Sequence, residues 1–199
     1  MRIAALALLA AAAVQPQAPM LGYLGGAGTD DCDGITLDRA GDIYLACHSD
    51  SASFAGSAAR APAGSRAAMD AVVVKIEART GKLVWATRIG GSGWDAAGDL
   101  EVAPDGSIIV LGQTESPDFP TTRDAVQRRF GGPRRDVFVL KLDAGGKIVY
   151  STLLGSSKND EATGLAVADD GTVFVGGVRT KVKSSTRASG SRLMVGGTG

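Results

Sequence analysis

The middle of the sequence runs Leu100-Glu101-Val102-Ala103-Pro104-Asp105-Gly106-Ser107-Ile108-Ile109-Val110. Apolar and polar side chains alternate in its first three residues, as they do in a half-buried β-strand. Asp105-Gly106 between two apolar runs is a strong signal for a hairpin, because both residues tolerate the positive φ of a tight turn. The stretch therefore predicts two antiparallel strands joined by a short turn.

This hairpin belongs to one copy of a repeat. The same pattern occurs at a constant offset of 65 residues on either side, at 34–45 and at 164–175. The turn glycines coincide in the three copies, and so do the acids that precede the first strand. The matched residues are Gly41, Gly106 and Gly171, and Asp30, Asp95 and Asp160. Chance does not produce that register twice, so the chain is a repeat protein whose copies start near residues 25, 90 and 155.

Each complete copy predicts four strands. A long connection follows the hairpin, then a third apolar run, a second glycine turn and a fourth strand. In the first and second copies, these last three segments lie at 71–76, 80–82 and 83–87, and at 137–142, 145–147 and 148–152. One four-stranded sheet cannot cover both of its own faces, and the radial packing of such sheets as β-propeller blades solves that problem. A solenoid is the alternative, but its units are usually shorter, about 20 to 47 residues.

The long connection of the second copy carries a recognisable motif. A loop motif is followed by single Ala and Gln residues, paired glycines and two strands. These parts are Asp118-Phe119-Pro120-Thr121-Thr122, Ala125, Gln127, Gly131-Gly132, the strand from Asp136 to Leu142, and Tyr150-Ser151-Thr152-Leu153-Leu154-Gly155. The pattern resembles the bacterial β-propeller repeat called SBBP, named for a seven-bladed propeller, and Tyr23-Leu24-Gly25-Gly26 fits the end of its last strand. The resemblance covers about residues 21–177. It implies an extracytoplasmic propeller and no reaction.

The array is short for a ring. It supplies two full copies and half of a third, about two and a half blades, whereas propellers have about four to eight. The connection at 49–69 lacks the Pro-Thr-Thr motif, and no third or fourth strand is expected after Gly177. The segment 178–199 contains five basic residues and no acid, which favours a flexible basic tail. Either the chain is a fragment of a longer propeller, or self-association of several chains closes the ring.

The composition and the N-terminal segment predict where the protein is located. The 21 basic and 21 acidic side chains balance, so no overall charge favours a nucleic acid partner. Residues 1–18 combine Arg2, an uncharged apolar run and small residues, as a secretory signal peptide does, with cleavage after Ala13 or Ala18. A short membrane anchor is the alternative, although the run falls short of the roughly 20 residues that span a bilayer. No later segment could span. We expect a secreted, periplasmic or cell-surface protein.

The two cysteines predict a disulfide. Cys32 and Cys47 stand at equal distances from the first turn, so they should face each other across the hairpin. Their counterparts in the second copy are Ala97 and Gly112, which means that both cysteines occur in one copy only. Two such cysteines in an exported protein favour a bridge. Two independent small buried residues are the alternative.

The repeated acids define the candidate binding surface. Asp30, Asp95 and Asp160 lie in glycine-rich loops, where short acids bond backbone N–H groups and stabilise turns. Calcium binding is possible, because Asp31 and other oxygen donors stand nearby, but no calcium-loop spacing is present. In a propeller, these loops and the long connections emerge on one face. The face would therefore carry Asp30, Asp31, Asp95, Asp118, Arg123 and Asp160.

Signals for catalysis are weak. His48 is the only histidine, and neither a nucleophile elbow nor a zinc-ligand spacing accompanies it. The sequence therefore predicts no catalytic residue, no cofactor and no metal site, and favours a binding or structural module for a protein or carbohydrate ligand. The alternative is part of a propeller enzyme, metal- or quinone-dependent, whose catalytic residues lie outside this chain.

Overall fold

Three four-stranded sheets make up the protein, one for each copy of the repeat. The computed structural model describes residues 23–54, 69–132, 134–178, 185–188 and 191–196, and from residue 178 onward it describes the backbone alone. The predicted signal peptide at 1–18 and most of the connection at 49–69 lie outside these residues. Within the described ranges all regular structure is β and no helix occurs, which confirms the all-β prediction.

The first two sheets are antiparallel meanders. The first contains β1 (Asp30–Leu37), β2 (Ile43–Ser49), β3 (Asp70–Glu77) and β4 (Lys82–Ile89), and the second contains β5 (Asp95–Val102), β6 (Ile108–Thr114), β7 (Asp136–Leu142) and β8 (Ile148–Leu154). In each sheet, neighbours in sequence are neighbours in space. The four predicted strands per copy are therefore confirmed for both.

The third sheet starts in the same way and then departs. It contains β9 (Glu161–Val167), β10 (Val173–Val178), β11 (Ser185–Ala188) and β12 (Ser191–Gly196), in the order β11-β12-β10-β9. β12 pairs with β10 in parallel, and β11 pairs with β12 in an antiparallel hairpin. The sequence predicts no third or fourth blade strand after Gly177, and these two strands do not continue the meander seen in the first two sheets. The run Leu193-Met194-Val195 supplies a strand for the open edge of β10, but its basic neighbours obscure that signal.

Positive-φ glycines form the turns, as predicted. Gly41, Gly106 and Gly171 have φ values of +88°, +79° and +79° in the turns between the first and second strands. The N–H of Gly106 donates to the carbonyl oxygen of Ala103 at 2.8 Å, and the other two turns are closed in the same way. A side chain with a Cβ is strained at such a φ, which explains why glycine recurs at this offset.

Two hydrophobic cores hold the three sheets face to face. The first and larger core lies between the first and second sheets and includes Tyr44, Val73, Leu100, Val110 and Phe138. The second core joins the other face of the second sheet to the third sheet, through Ile109, Val139 and Val173 among others. The middle sheet is therefore covered on both faces, and this burial is the main stabilising contribution to the stack.

The first strands of the three sheets lie next to each other. β5 contacts β1 on one side and β9 on the other, whereas β4 and β8 share no comparable contact in the described part of the chain. Two side chains of β4 contact the turn between β7 and β8 of the second sheet. The indole Nε1 of Trp85 donates to the carbonyl oxygen of Ala144 at 3.1 Å, and the hydroxyl of Thr87 donates to that of Gly146 at 2.7 Å.

Candidate functional site

Asp95 joins three segments of the second repeat. Its carboxylate is fully buried at the start of β5 and accepts hydrogen bonds from Gly91 N at 2.8 Å, from Ser116 Oγ at 2.7 Å and from Thr114 Oγ1. The first contact holds the glycine loop before β5, and the other two hold the end of β6. Asp95 is thus a structural acid, in line with the turn-stabilising role that the sequence favours.

The same arrangement recurs in the other copies. Asp30 accepts from Gly26 N at 2.6 Å, from Ser51 Oγ at 2.9 Å and from Ser49 Oγ, and all three donors stand at the offset of 65 from those of Asp95. Asp160 is fully buried and accepts from Ser156 N at 2.6 Å. Asp95 and Asp160 are therefore inaccessible to a ligand at the surface, which removes both of them from the predicted binding face.

Asp95 and Asp30 accept equivalent hydrogen bonds, but their different degrees of burial shift their pKa values in opposite directions. Burial raises the pKa of Asp95 to about 6, against its hydrogen bonds from Thr114, Gly91 and Ser116, and the negative charge of Asp70 adds to the rise. Asp30 is less buried, so its hydrogen bonds from Gly26, Ser49 and Ser51 outweigh desolvation and lower its pKa. The difference follows from desolvation, which disfavours the charged form.

A second buried acid stands at the start of each third strand. Asp70 begins β3 and Asp136 begins β7, and both are fully buried. A Cβ placed on Gly90 would lie 2.2 Å from Asp70 Oδ1 and 2.7 Å from Asp95 Oδ2, and one on Gly155 would lie 2.1 Å from the carboxyl carbon of Asp136. Only glycine fits at these approaches, which accounts for the repeated glycines at 90 and 155.

Three other residues of the predicted binding face, Asp118, Asp31 and Arg123, are exposed, and they share no common structural role. Asp118 accepts from the N–H and the hydroxyl of Ser92 at 2.7 and 2.8 Å, and these bonds lower its pKa. Asp31 caps its neighbour Cys32 through a 2.9 Å hydrogen bond to the backbone N–H. Arg123 is exposed and makes no hydrogen bond to the described residues. A ligand for this face stays a prediction.

The loop motif after β6 is structural. Phe119 is buried and stacks on Phe138, with 4.6 Å between the ring centres. The backbone N–H of Thr122 donates to the carbonyl oxygen of Ser151 at 3.0 Å, which fixes the loop to β8. The side chain of Gln127 donates to Asp136 Oδ2 at 3.1 Å. These contacts explain why such residues occur together in the motif.

The predicted disulfide is present. Cys32 of β1 and Cys47 of β2 are direct cross-strand partners, and their sulfur atoms lie 2.03 Å apart. Next to the bridge, His48 Nδ1 lies 3.5 Å from Asp33 Oδ2. The lone histidine therefore contacts an acid of the neighbouring strand.

A β-bulge interrupts the first strand of every sheet at the same position. Asp33, Gly98 and Thr163 are the extra residues of β1, β5 and β9, and they stand 65 residues apart. Bulges redirect side chains, and they are over-represented beside functional sites. All three line one cavity of about 260 Å³, which we call the bulge pocket.

The bulge pocket combines one aromatic ring with polar side chains. Its lining includes Trp94 from the loop before β5, Asp99 and Gln113 from the second sheet, and Arg135 from the segment before β7. The guanidinium of Arg135 lies over Trp94, with 4.4 Å from Cζ to the ring centre. The His48 ring approaches the same indole at 6.2 Å between centres. Trp94 is thus held in place and only partly exposed.

Several polar side chains that line the pocket are available to hydrogen-bond a ligand. The amide of Gln113 and the hydroxyl of Thr163 make no hydrogen bond to the described residues. Asp33 contacts His48 and makes no hydrogen bond to another residue in the described ranges. By contrast, Asp99 accepts from the backbone N–H groups of Leu100 and Leu165, each at 2.9 Å. A few converging polar groups beside an aromatic ring are the usual composition of a small-molecule site.

Sequence reasoning missed this pocket. The bulge residues differ in type between copies, so the repeat alignment offers no common side chain to follow. Trp94 and Arg135 come from different loops, and only the fold brings them together. The sequence did carry one sign of the bulges: the residue type varies at this position of the repeat, from acid to glycine to threonine, within otherwise regular strands.

Within the described ranges, no group of three or more His, Cys, Asp or Glu side chains could hold a metal ion. Likewise, none of the structure in those ranges is a helix with the length and apolar character needed to cross a membrane.

Comparison with known proteins gives one partial similarity to report. No model of a known protein family matches the chain. A stretch of 108 residues, 54% of the chain, is 29% identical to the regulatory protein FlaEY of Caulobacter vibrioides. The matched stretch covers 11% of the length of that protein. The chain is therefore similar to a small part of a much longer protein.

Proposed function

We propose that this chain is a segment of an exported β-propeller that acts as a binding module, and that its ligand occupies the bulge pocket. The observation that carries the proposal is the convergence of three equivalent bulges on one cavity. In a propeller, the first strand of each blade is the innermost one. The bulges would therefore face the central axis, where a ligand can contact several blades at once.

The contacts between strands support the radial arrangement. The first strands lie side by side, whereas β4 contacts the second sheet only at the turn between β7 and β8 in the described part of the chain, through Trp85 and Thr87. Sheets that are close at one edge and further apart at the other form a fan, and a fan that continues closes into a ring. The resemblance to the SBBP repeat points to the same architecture.

Exposed apolar residues on the outer face of the first sheet support the proposal that a further partner packs there and completes the ring. Ile35 and Leu37 on β1 are 69% and 59% exposed. Their counterparts at the offset of 65, Leu100 and Val102, belong to the core that joins the first and second sheets. On the same face, Val74 of β3 is fully buried in a cluster with Phe54, so the open part of this face is its β1 edge. A further blade, from the same longer protein or from a second copy, would cover that edge.

Export is part of the proposal. The disulfide between Cys32 and Cys47 suits an oxidising compartment, and the sequence of residues 1–18 has the pattern of a signal peptide. Expression of the full chain with a C-terminal tag in a Gram-negative host tests this. We expect a periplasmic product that begins after Ala13 or Ala18, by mass spectrometry. A cytoplasmic product with an intact N-terminus would contradict export.

The binding role is tested by fluorescence. The chain has two tryptophans, so Trp85→Phe leaves Trp94 as the sole reporter of the pocket. We would titrate this variant with four chemically different probes: glucose, citrate, arginine and adenosine monophosphate. A saturable change with at least one probe, weakened about tenfold by Gln113→Ala, supports a binding module. No change with any probe would contradict it.

A further inference from the structure

The size of the bulge pocket limits its occupant. Sites for drug-sized ligands usually measure about 300–1,000 Å³, and this cavity measures about 260 Å³. A single six-membered ring with its substituents is of the right size to fill it. The ligand is thus a small molecule, or one unit of a polymer that enters the pocket alone.

The hydrogen-bonding groups of the pocket match hydroxyl groups. Asp33 offers carboxylate oxygens as acceptors, the Gln113 amide offers donors and an acceptor, and the Thr163 hydroxyl offers both. A ligand that both donates and accepts at several neighbouring positions satisfies this set. Sugar hydroxyls do so around the whole ring.

The aromatic side chain fits the remaining surface of a sugar. A pyranose presents a patch of C–H groups on one face, and an indole presents an apolar body with one polar N–H. Arg135 is stacked on Trp94 and paired with Glu115, with 2.7 Å between Nε and Oε1, so it holds the indole in a fixed orientation. A preorganised ring binds with less loss of conformational entropy.

The charge of the pocket disfavours acidic ligands. Asp33 and Asp99 both line it, while the positive charge of Arg135 is paired with Glu115. Its surroundings are therefore net negative, and an anion would be repelled. On these grounds, and resting on the proposed function, we propose that the bulge pocket binds a non-acidic sugar ring, free or as one unit of a polysaccharide.

The test is a titration of the ¹⁵N-labelled chain followed by amide chemical shifts. Glucose, galactose and mannose are the neutral probes, and glucuronate is the matched anion with the same ring. Citrate and arginine serve as non-sugar probes. We expect at least one neutral sugar to shift the amides of Gln113, Thr163 and Trp94, and glucuronate to bind at least about tenfold more weakly than glucose.

Two variants locate the effect. Gln113→Ala removes an amide that makes no hydrogen bond to the described residues, so the fold should persist and affinity should fall about tenfold, the value of one or two neutral hydrogen bonds. Arg39→Ala, at an exposed residue beside a different cavity, is the control and should leave affinity unchanged.

The outcomes separate the two proposals. If citrate or arginine shifts the pocket amides and no sugar does, the pocket is a binding site but the sugar assignment is wrong. If none of the probes shifts them, both proposals fail. Sugar-induced shifts that persist unchanged in Gln113→Ala would overturn the assignment of the site.

Discussion

Arg88 and Asp70 form a buried ion pair between neighbouring strands of the first sheet. Nη1 of Arg88 lies 3.2 Å from Oδ2 of Asp70, and both side chains are buried. The same guanidinium donates to the carbonyl oxygen of Ser49 at 3.3 Å. The counterpart of Arg88 in the second copy is Leu153, and there Gln127 contacts the equivalent acid, Asp136. Each repeat thus uses a different side chain next to its buried carboxylate.

This pair predicts a large loss of stability for Arg88→Leu. The variant installs the residue of the second repeat but leaves Asp70 buried without its cation, which costs about 3–5 kcal/mol. Urea unfolding measures the change. The double variant Asp70→Asn, Arg88→Leu removes both charges and should recover most of the loss. A double variant as unstable as Arg88→Leu alone would show that the lost guanidinium contacts, not the uncompensated charge, dominate.

Asp95 predicts an unusual dependence of stability on pH. Its pKa is raised to about 6 in the folded state, above the ordinary value of 3.8. The folded state therefore binds the proton more tightly, so the free energy of unfolding falls as the pH rises from about 4 to about 6. The loss is about 3 kcal/mol, at about 1.4 kcal/mol per pKa unit.

The matched variant isolates this effect. Asp95→Asn cannot ionise, so the difference between its stability and that of the wild type should change only between about pH 4 and pH 6. The lowered pKa values of Asp30 and Asp105 act at lower pH and remain in both proteins. Thermal unfolding across pH 3–8 measures the difference. A constant difference across that range would contradict the raised pKa.

The disulfide predicts a measurable stabilisation. Cys32 and Cys47 enclose a loop with a sequence separation of 15, and the chain-entropy estimate for such a loop is about 3 kcal/mol. Reduction of the wild type should lower the free energy of unfolding by about that amount. The variant Cys32→Ala, Cys47→Ala should resemble the reduced protein and should not respond to reductant. Equal stability of the oxidised and reduced proteins would contradict the estimate.

The same substitution should have very different effects on folding at Ile35, on the exposed β1 edge of the first sheet, and at its buried counterpart Leu100. Ile35→Glu changes an exposed side chain, so its effect on stability should stay within about 0.5 kcal/mol, while dye binding to apolar surface and self-association both decrease. Leu100→Glu introduces a charge at the equivalent but buried position, 1% exposed, and should prevent folding. Light scattering and thermal unfolding measure both. Unchanged self-association in Ile35→Glu would argue against this face as an interface.

Local signals explain what the sequence predicted well. The Asp-Gly and Gly turns depend on φ at single residues, so Gly41, Gly106 and Gly171 mark the hairpins directly. The constant offset then placed the strands of the first two sheets, and the same symmetry about the first turn paired Cys32 with Cys47. None of these inferences requires knowledge of how the sheets pack.

The remaining features depend on contacts between distant segments. An acid in a glycine-rich loop looks exposed, but Asp95 is buried because Thr114 and Ser116 fold back onto it. The hydroxyls at 49 and 51 in the first copy were a usable sign of this. Only the variation in residue type at equivalent positions marks the bulges, and Trp94 meets Arg135 only through packing. Pattern analysis therefore could not bring the lining of the bulge pocket together.

The radial arrangement of the repeats is tested most directly by distances between spin labels. One pair of labels is placed at Arg39 and Pro104, in equivalent turns between first and second strands, and the other at Arg79 and Ala144, in equivalent turns between third and fourth strands. Labels attached through an unnatural keto amino acid leave the disulfide intact. A propeller predicts a longer mean distance for the second pair, because blades diverge from the axis. Equal distances for the two pairs would mean that the sheets form a parallel stack, and would contradict the propeller and its central binding pocket.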